Sequence, residues 1–117
     1  MEEKWEVIVT KGENEPWWFF DDWKQDIRQY SLYHAKKEAI HAYWNLYEQL
    51  TNKYEYVKVK KTSLAAFWNK GEIAYCTQCE DDLQLYCGLI IMRNGTPYEF
   101  SHEDMRKAKG SSGKEEI

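Results

Sequence analysis

What this chain lacks narrows what it can do. No glycine-rich phosphate loop is present, and no serine or cysteine lies in a recognisable nucleophile motif, so nothing local points to nucleotide chemistry or covalent catalysis. The longest uncharged apolar stretch, Leu89 to Met92, has the length of a strand and not of a membrane span. At the N-terminus Met1-Glu2-Glu3-Lys4 is acidic and Val7-Ile8-Val9 is too short for a signal peptide, which makes a soluble, cytoplasmic protein the expectation. Clustered basic residues are missing too: only Lys58, Lys60 and Lys61 form a small group, which reads as a solvated strand face, and the net charge of −4 with a pI near 5.4 argues against a nucleic-acid partner. Leu, Ile, Val and Phe supply only 22 of 117 residues, a scarcity that in a strongly charged chain would mean disorder.

The aromatics reverse that expectation. Six Trp and nine Tyr bring large buried area with few rotatable bonds, so an aromatic core can replace an aliphatic one. The densest stretch is Glu15-Pro16-Trp17-Trp18-Phe19-Phe20-Asp21-Asp22-Trp23. If extended, it sends Trp17 and Phe19 to one face and Trp18 and Phe20 to the other. Either it fills two sides of a small core as a strand or bend, or it offers one face to a partner. The candidate partner-binding residues are Trp17, Trp18, Asp21, Asp22 and Trp23, because Trp and Tyr dominate interface hot spots and so much ring area exceeds what one small core absorbs.

One domain over residues 1–108 and a disordered tail over 109–117 are expected, the tail from Gly110-Ser111-Ser112-Gly113. Trp5, Val7 and Val9 alternate with Glu6, Ile8 and Thr10, the pattern of a strand. The tryptophan segment then reads as a returning second strand with Pro16 at its start, followed by a short helical turn placing Trp23 and Ile27 on one side. The main helix is expected from about Leu32 to Leu50, capped by Ser31. Its first stripe is Ala35, Ala39, Ala42, Tyr43, Leu46 and Leu50; its second is Tyr33, Ile40, Trp44 and Tyr47, with the tryptophan segment as the expected cover. Strands follow at Tyr56 to Lys60, at Leu64 to Trp68 paired with Glu72 to Cys76 around Asn69-Lys70-Gly71, and at Tyr86 to Met92 paired with Pro97 to Phe100 around Asn94-Gly95. The triplet Asn94-Gly95-Thr96 thus reads as a hairpin turn. The class is α+β: an antiparallel sheet of about five to six strands with one long helix packed on a face.

Cys76-Thr77-Gln78-Cys79 is the most specific local motif. Three cysteines in a reducing compartment are thiols or metal ligands, and Cys76, Cys79 and Cys87 with His102 make a candidate zinc set. Ordinary reduced thiols are the alternative. His34, Glu38 and His41 share a helix sector opposite the apolar stripe, which reads as the solvated face. Asp21, Asp22 and Asp26 form a carboxylate cluster, more simply a solubilising edge than acid–base machinery.

Glu-Pro-Trp-Trp-Phe-Phe followed by Trp23, then Leu64-Ala65-Ala66-Phe67-Trp68-Asn69, then Cys-x-x-Cys-Glu-Asp-Asp-Leu-Gln-Leu-Tyr before a Gly-Leu strand, resembles an uncharacterised family of small proteins from low-GC Gram-positive bacteria. The likeness spans about Val7 to Met92. It implies no activity, the family being a domain of unknown function; members often carry histidine where this chain has Cys87, which keeps a metal ligand there. From these readings the expected function is a non-enzymatic interaction or regulatory module with an aromatic surface, meeting a protein partner or a second copy. A zinc-binding or thiol-dependent protein centred on Cys76 and Cys79 is the alternative.

Overall fold

The computed structural model describes residues 3–19, 21–76 and 81–105, with backbone alone at 74–76 and 81–83. The alternation over residues 5–10 forms β1 (Trp5–Gly12), and β2 (Ile27–Tyr33) pairs along its outer edge. After α1 (Lys36–Lys53) come β3 (Tyr56–Lys60), β4 (Leu64–Trp68), β5 (Ile73–Cys76), β6 (Asp81–Gln84), β7 (Tyr86–Arg93) and the short β8 (Thr96–Pro97). Among the described residues these strands give a six-stranded antiparallel sheet ordered β2-β1-β7-β4-β3, with β8 paired to β7, and a separate ribbon of β5 and β6. The fold is therefore α+β, with the long helix on one sheet face.

The central strands are apolar on both faces. Trp5 and Val7 of β1, Ala65 and Phe67 of β4, and Cys87, Leu89 and Ile91 of β7 pack with Ala39, Tyr43 and Leu50 beneath α1. Their alternate neighbours Ile8, Leu64, Ile90 and Met92 form a second buried cluster on the opposite face. Removing each such aliphatic side chain from water stabilises the fold by about 1.5–3 kcal/mol, so both faces need cover. α1 supplies only one of them.

Several expectations are corrected. The helix begins at Lys36, not Leu32, and its N-cap position holds Ala35 without a side-chain cap. Ser31 lies inside β2, because residues 27–33 satisfy the hydrogen-bonding edge of β1. The tryptophan segment forms no strand where it is described: Pro16 and Trp17 occupy a turn closed by the Trp18 amide donating to the Glu15 carbonyl at 3.2 Å. β4 does not pair with β5. It pairs with β3 and β7, and β5 pairs with β6. The β3–β4 hairpin turns instead through Lys61 and Thr62, at φ of 50° and 62°, without glycine. The Asn94-Gly95 hairpin forms as expected, both residues at positive φ. The tail expected from residue 109 lies outside the described residues.

Nor does the tryptophan segment cover the second helical stripe. That cover comes from residues 98–104, which cross α1 as a strap. Trp44 Nε1 donates to the Asp104 carbonyl at 3.0 Å, and its ring meets Phe100 at 5.4 Å and Tyr43 at 4.9 Å between centroids. The β3–β4 turn holds the strap's other edge: the Phe100 amide donates to Thr62 Oγ1 at 2.8 Å, and Ser63 Oγ to the Tyr98 carbonyl at 2.5 Å. Tyr43 OH, fully buried, donates to the Ser63 carbonyl at 2.9 Å and so supports the same turn from the helix.

Asp104 is the strap's latch. Its carboxylate accepts from Tyr98 OH at 2.6 Å and from the Ser101 amide at 3.0 Å, and pairs with Lys36 at 3.2 Å. The Lys36 pairing also offsets a cation at the helix N-terminus, where the macrodipole disfavours one. Burial pushes the Asp104 carboxyl up, but hydrogen bonds from Tyr98, Ser101 and Lys36 outweigh it and hold the carboxyl at about 2, below its ordinary 3.8. A group depressed on folding contributes stability above its unfolded pKa and loses it as pH falls through the folded one. The contribution is thus complete above about pH 4, is lost toward pH 2, and amounts to about 1–2 kcal/mol once solvent screening is allowed for. Asp104→Asn is expected to lower the melting temperature at pH 7 and to flatten its fall between pH 4 and pH 2. Melting curves of both proteins across that range check this, and equal stability at neutral pH would contradict it.

Candidate functional site

The face opposite α1 holds the features that packing alone does not use. Pro16 is buried over Gly88, where β1 and β7 run side by side. A methyl group at Gly88 would lie 2.4 Å from Thr10 Oγ1 and 2.7 Å from Pro16 Cβ, so this approach requires glycine. Trp17 is half-buried against the Ile8, Leu64, Ile90 and Met92 cluster, with Lys58 and Lys60 over its ring at 5.7 and 5.1 Å. Those lysines, expected on a solvated strand face, are thus cation–π partners of the covering segment. Trp23 and Ile27 pack against the same cluster, and Phe19 meets the Trp23 ring edge-on at 5.1 Å.

Not all of this ring area is covered. Trp18 is 51% exposed, Phe19 37%, Tyr30 47% and Leu32 45%. Tyr30 and Leu32 stand opposite Ile8 and Glu6 in the β1–β2 register and so share their face, and Tyr30 OH donates to the Glu6 carboxylate, which raises the phenol's pKa. Beside Trp18 and Trp23 a small cleft of about 20 Å³ opens, with Glu15, Asp22, Asp26 and Thr10 also on its walls. Asp21 and Asp22 are exposed at the rim. Thr10 is 7% exposed. Of the predicted partner-binding residues, Trp18, Asp22 and Trp23 meet at this cleft, Trp17 is turned to the basic strand β3, and Asp21 stays outside.

The cysteine set divides. Cys87 is 4% exposed in the core under α1, opposite Lys11 and Phe67 in the strand registers. Burial pushes its thiol up, with Tyr54, Lys11 and Lys53 opposing in part, so at neutral pH it is a protonated thiol and a poor nucleophile. His102 is exposed in the turn of the strap. Cys79 and the Cys76 side chain lie outside the described residues. Among the described residues no group of three or more His, Cys, Asp or Glu side chains could hold a metal ion; Glu38 and His41 are exposed on α1, and His34, expected on the same helix sector, is exposed in the bend before the helix starts at Lys36. No helix among them is long and apolar enough to cross a membrane.

A polar cluster near Cys87 had no counterpart in the sequence pattern. Lys11 Nζ donates to Glu72 Oε2 at 2.7 Å and to Tyr54 OH at 3.0 Å. Burial works against the Lys11 charge, but these two bonds outweigh it and raise its pKa. Lys11 and Glu72 are too far apart in sequence for any spacing rule to join them. Thr10 escapes detection as a cleft residue for a different reason: its place with Ile8 on the second face is visible in the alternation, but the cover over that face is not.

Gly88→Ala tests the seating of this segment. The added methyl is expected to displace Pro16 and Thr10, to cost about 1–3 kcal/mol as overpacking does, and to shift tryptophan emission to the red. Denaturant unfolding and fluorescence spectra check it; an unchanged midpoint and spectrum would show that Pro16 does not sit against β7.

No curated protein and no solved structure matches the chain. One family model does, over residues 4–116, and its description is a protein of unknown function. That span takes in every described strand, the described long helix and both sheet faces, and the chain therefore belongs to the DUF1033 family.

Proposed function

We propose that this chain is a non-enzymatic protein-interaction or regulatory module, acting in the cytoplasm, whose working surface is the sheet face opposite α1. The observation that carries this reading is the exposure of Trp18, Phe19, Tyr30 and Leu32 on that face, in a chain that buries Trp5, Tyr43 and Phe67 completely. Large aromatics left at a surface serve as anchors for a partner, because they bring contact area at low entropic cost. The rim is acidic: Glu15, Asp21, Asp22 and Asp26 surround the rings, and the chain's net charge has the same sign. A basic protein surface is the complementary partner, and its association weakens as salt rises. The Cys87 environment supports no competing catalytic reading, since its thiol is buried and protonated.

The test is capture of partners by wild type and by a Trp18→Ala/Leu32→Ala double variant whose circular dichroism and melting temperature match wild type. Each anchor is expected to contribute about 2 kcal/mol, so one specific partner drops out of the variant's list and returns at reduced yield as salt is lowered. An identical list for both proteins would refute the proposal.

A further inference from the structure

The cleft beside Trp18 and Trp23 carries more than its acidity. Glu15, Asp22 and Asp26 form no ion pair with any described residue, although Lys24 and Arg28 stand close to the two aspartates in sequence. The cleft is walled by two indoles, whose faces attract cations. Thr10 is an independent sign of a ligand. Its side chain is more than nine-tenths buried, its hydroxyl lies on the cleft's side of the sheet close over Gly88, and it makes no hydrogen bond to any described residue. Its oxygen is not one of the fully buried unpartnered atoms, which among the described residues are Trp5 Nε1, Thr51 Oγ1 and Glu72 Oε1, so solvent reaches it from the cleft and a bound donor would take the place of that water.

A metal ion is not what this arrangement suits. The carboxylates share the cleft but do not converge as a group able to hold one ion, whereas divalent cations require oxygen ligands at about 2.0–2.6 Å. A primary ammonium differs in that its three N–H donors reach out to separate acceptors. The cleft offers carboxylates and the Thr10 hydroxyl for those donors, two indole rings on its walls, and about 20 Å³ of room, enough for a water-sized head group and too little for a trimethylated one.

We infer that this cleft receives the unmethylated ammonium of a lysine side chain carried by the protein partner. The inference rests on the interaction-module reading and names the chemistry that the partner presents. Lysine's apolar stem would lie along Trp18 and Phe19 at the rim, and its head group would displace water from beside Thr10.

The indole N–H signals of Trp18 and Trp23 report directly on the cleft in proton–nitrogen spectra. Titration of the whole chain with a capped Ala-Lys-Ala peptide is expected to shift both, saturably, with affinity falling as salt rises. The capped Ala-norleucine-Ala and Ala-trimethyllysine-Ala peptides are expected to bind at least tenfold more weakly. Asp22→Asn/Asp26→Asn should weaken the lysine peptide at least tenfold; Thr10→Val, which keeps the side chain's shape, should weaken it severalfold, and retained backbone shifts show that each variant stays folded. Equal binding of the norleucine peptide, or unchanged binding in both variants, would overturn the inference. Binding of n-butylammonium as tight as that of the peptide would assign the cleft to a free amine and overturn the partner-borne lysine. A partner that is lost from Trp18→Ala/Leu32→Ala while the lysine peptide shifts nothing refutes the cleft alone. Lysine binding with an unchanged partner list supports the cleft's chemistry and refutes the module reading.

Discussion

A sheet that is apolar on both faces, with a long helix for only one of them, is the constraint on which the rest of this structure depends. Ile8 and Ile90 are as thoroughly buried as Val7 and Leu89 on the other side of the same strands. Leaving them to water would forfeit several kcal/mol, so the chain between β1 and β2 folds back over them instead of forming a tight hairpin. Proline and glycine make this local: Pro16 starts the turn, and Gly88 lets it approach the backbone of β7. The cover is built from aromatics, too large to be buried wholly by a segment this short. Exposed Trp18 and Phe19 follow from that geometry, as does the cleft between the turn and the sheet.

The opposite face solves its cover problem with a latch. The strap of residues 98–104 closes over Tyr43 and Trp44, and Asp104 draws together Tyr98, Ser101 and Lys36 at its end. Its other edge rests on a turn with Thr62 at φ 62°, a conformation that costs a β-branched residue about 1–3 kcal/mol. Bonds from Phe100 to Thr62 and from Ser63 to Tyr98 hold that turn in place. The turn and the latch are thus joined through the strap.

Much of the architecture was legible in the sequence where period and turn chemistry agree. Alternation through Trp5 to Thr10, the Asn94-Gly95 turn and the body of the helix each carry a local signal strong enough to survive tertiary context. Where local signals competed, context decided. Ser31 looks like a helix cap, yet residues 27–33 are a strand because β1 needed a neighbour. Asn69-Lys70-Gly71 looks like a hairpin, but β4 is claimed on both sides by β3 and β7. The Lys61-Thr62 turn could not be read, since its backbone is stabilised by Phe100 and Tyr98, which lie about forty residues away in sequence. For the site, the tryptophan segment and its acidic flanks were visible as a motif; which sheet face they cover, and that Thr10 joins them, depended on a packing choice between two apolar surfaces.

The exposed rings, the acidic cleft and the proposed partner chemistry all follow from one placement, that of the tryptophan segment across the face opposite α1. Nuclear Overhauser contacts between tryptophan ring protons and assigned methyl groups measure it directly. Ring protons of Trp17 and Trp23 should show contacts to methyls of the Ile8, Leu64 and Ile90 cluster, and the Trp44 ring to Phe100 instead. Contacts from Trp17 or Trp23 to Ile40 and Trp44, with the Ile8 and Ile90 methyls free of any indole, would contradict it.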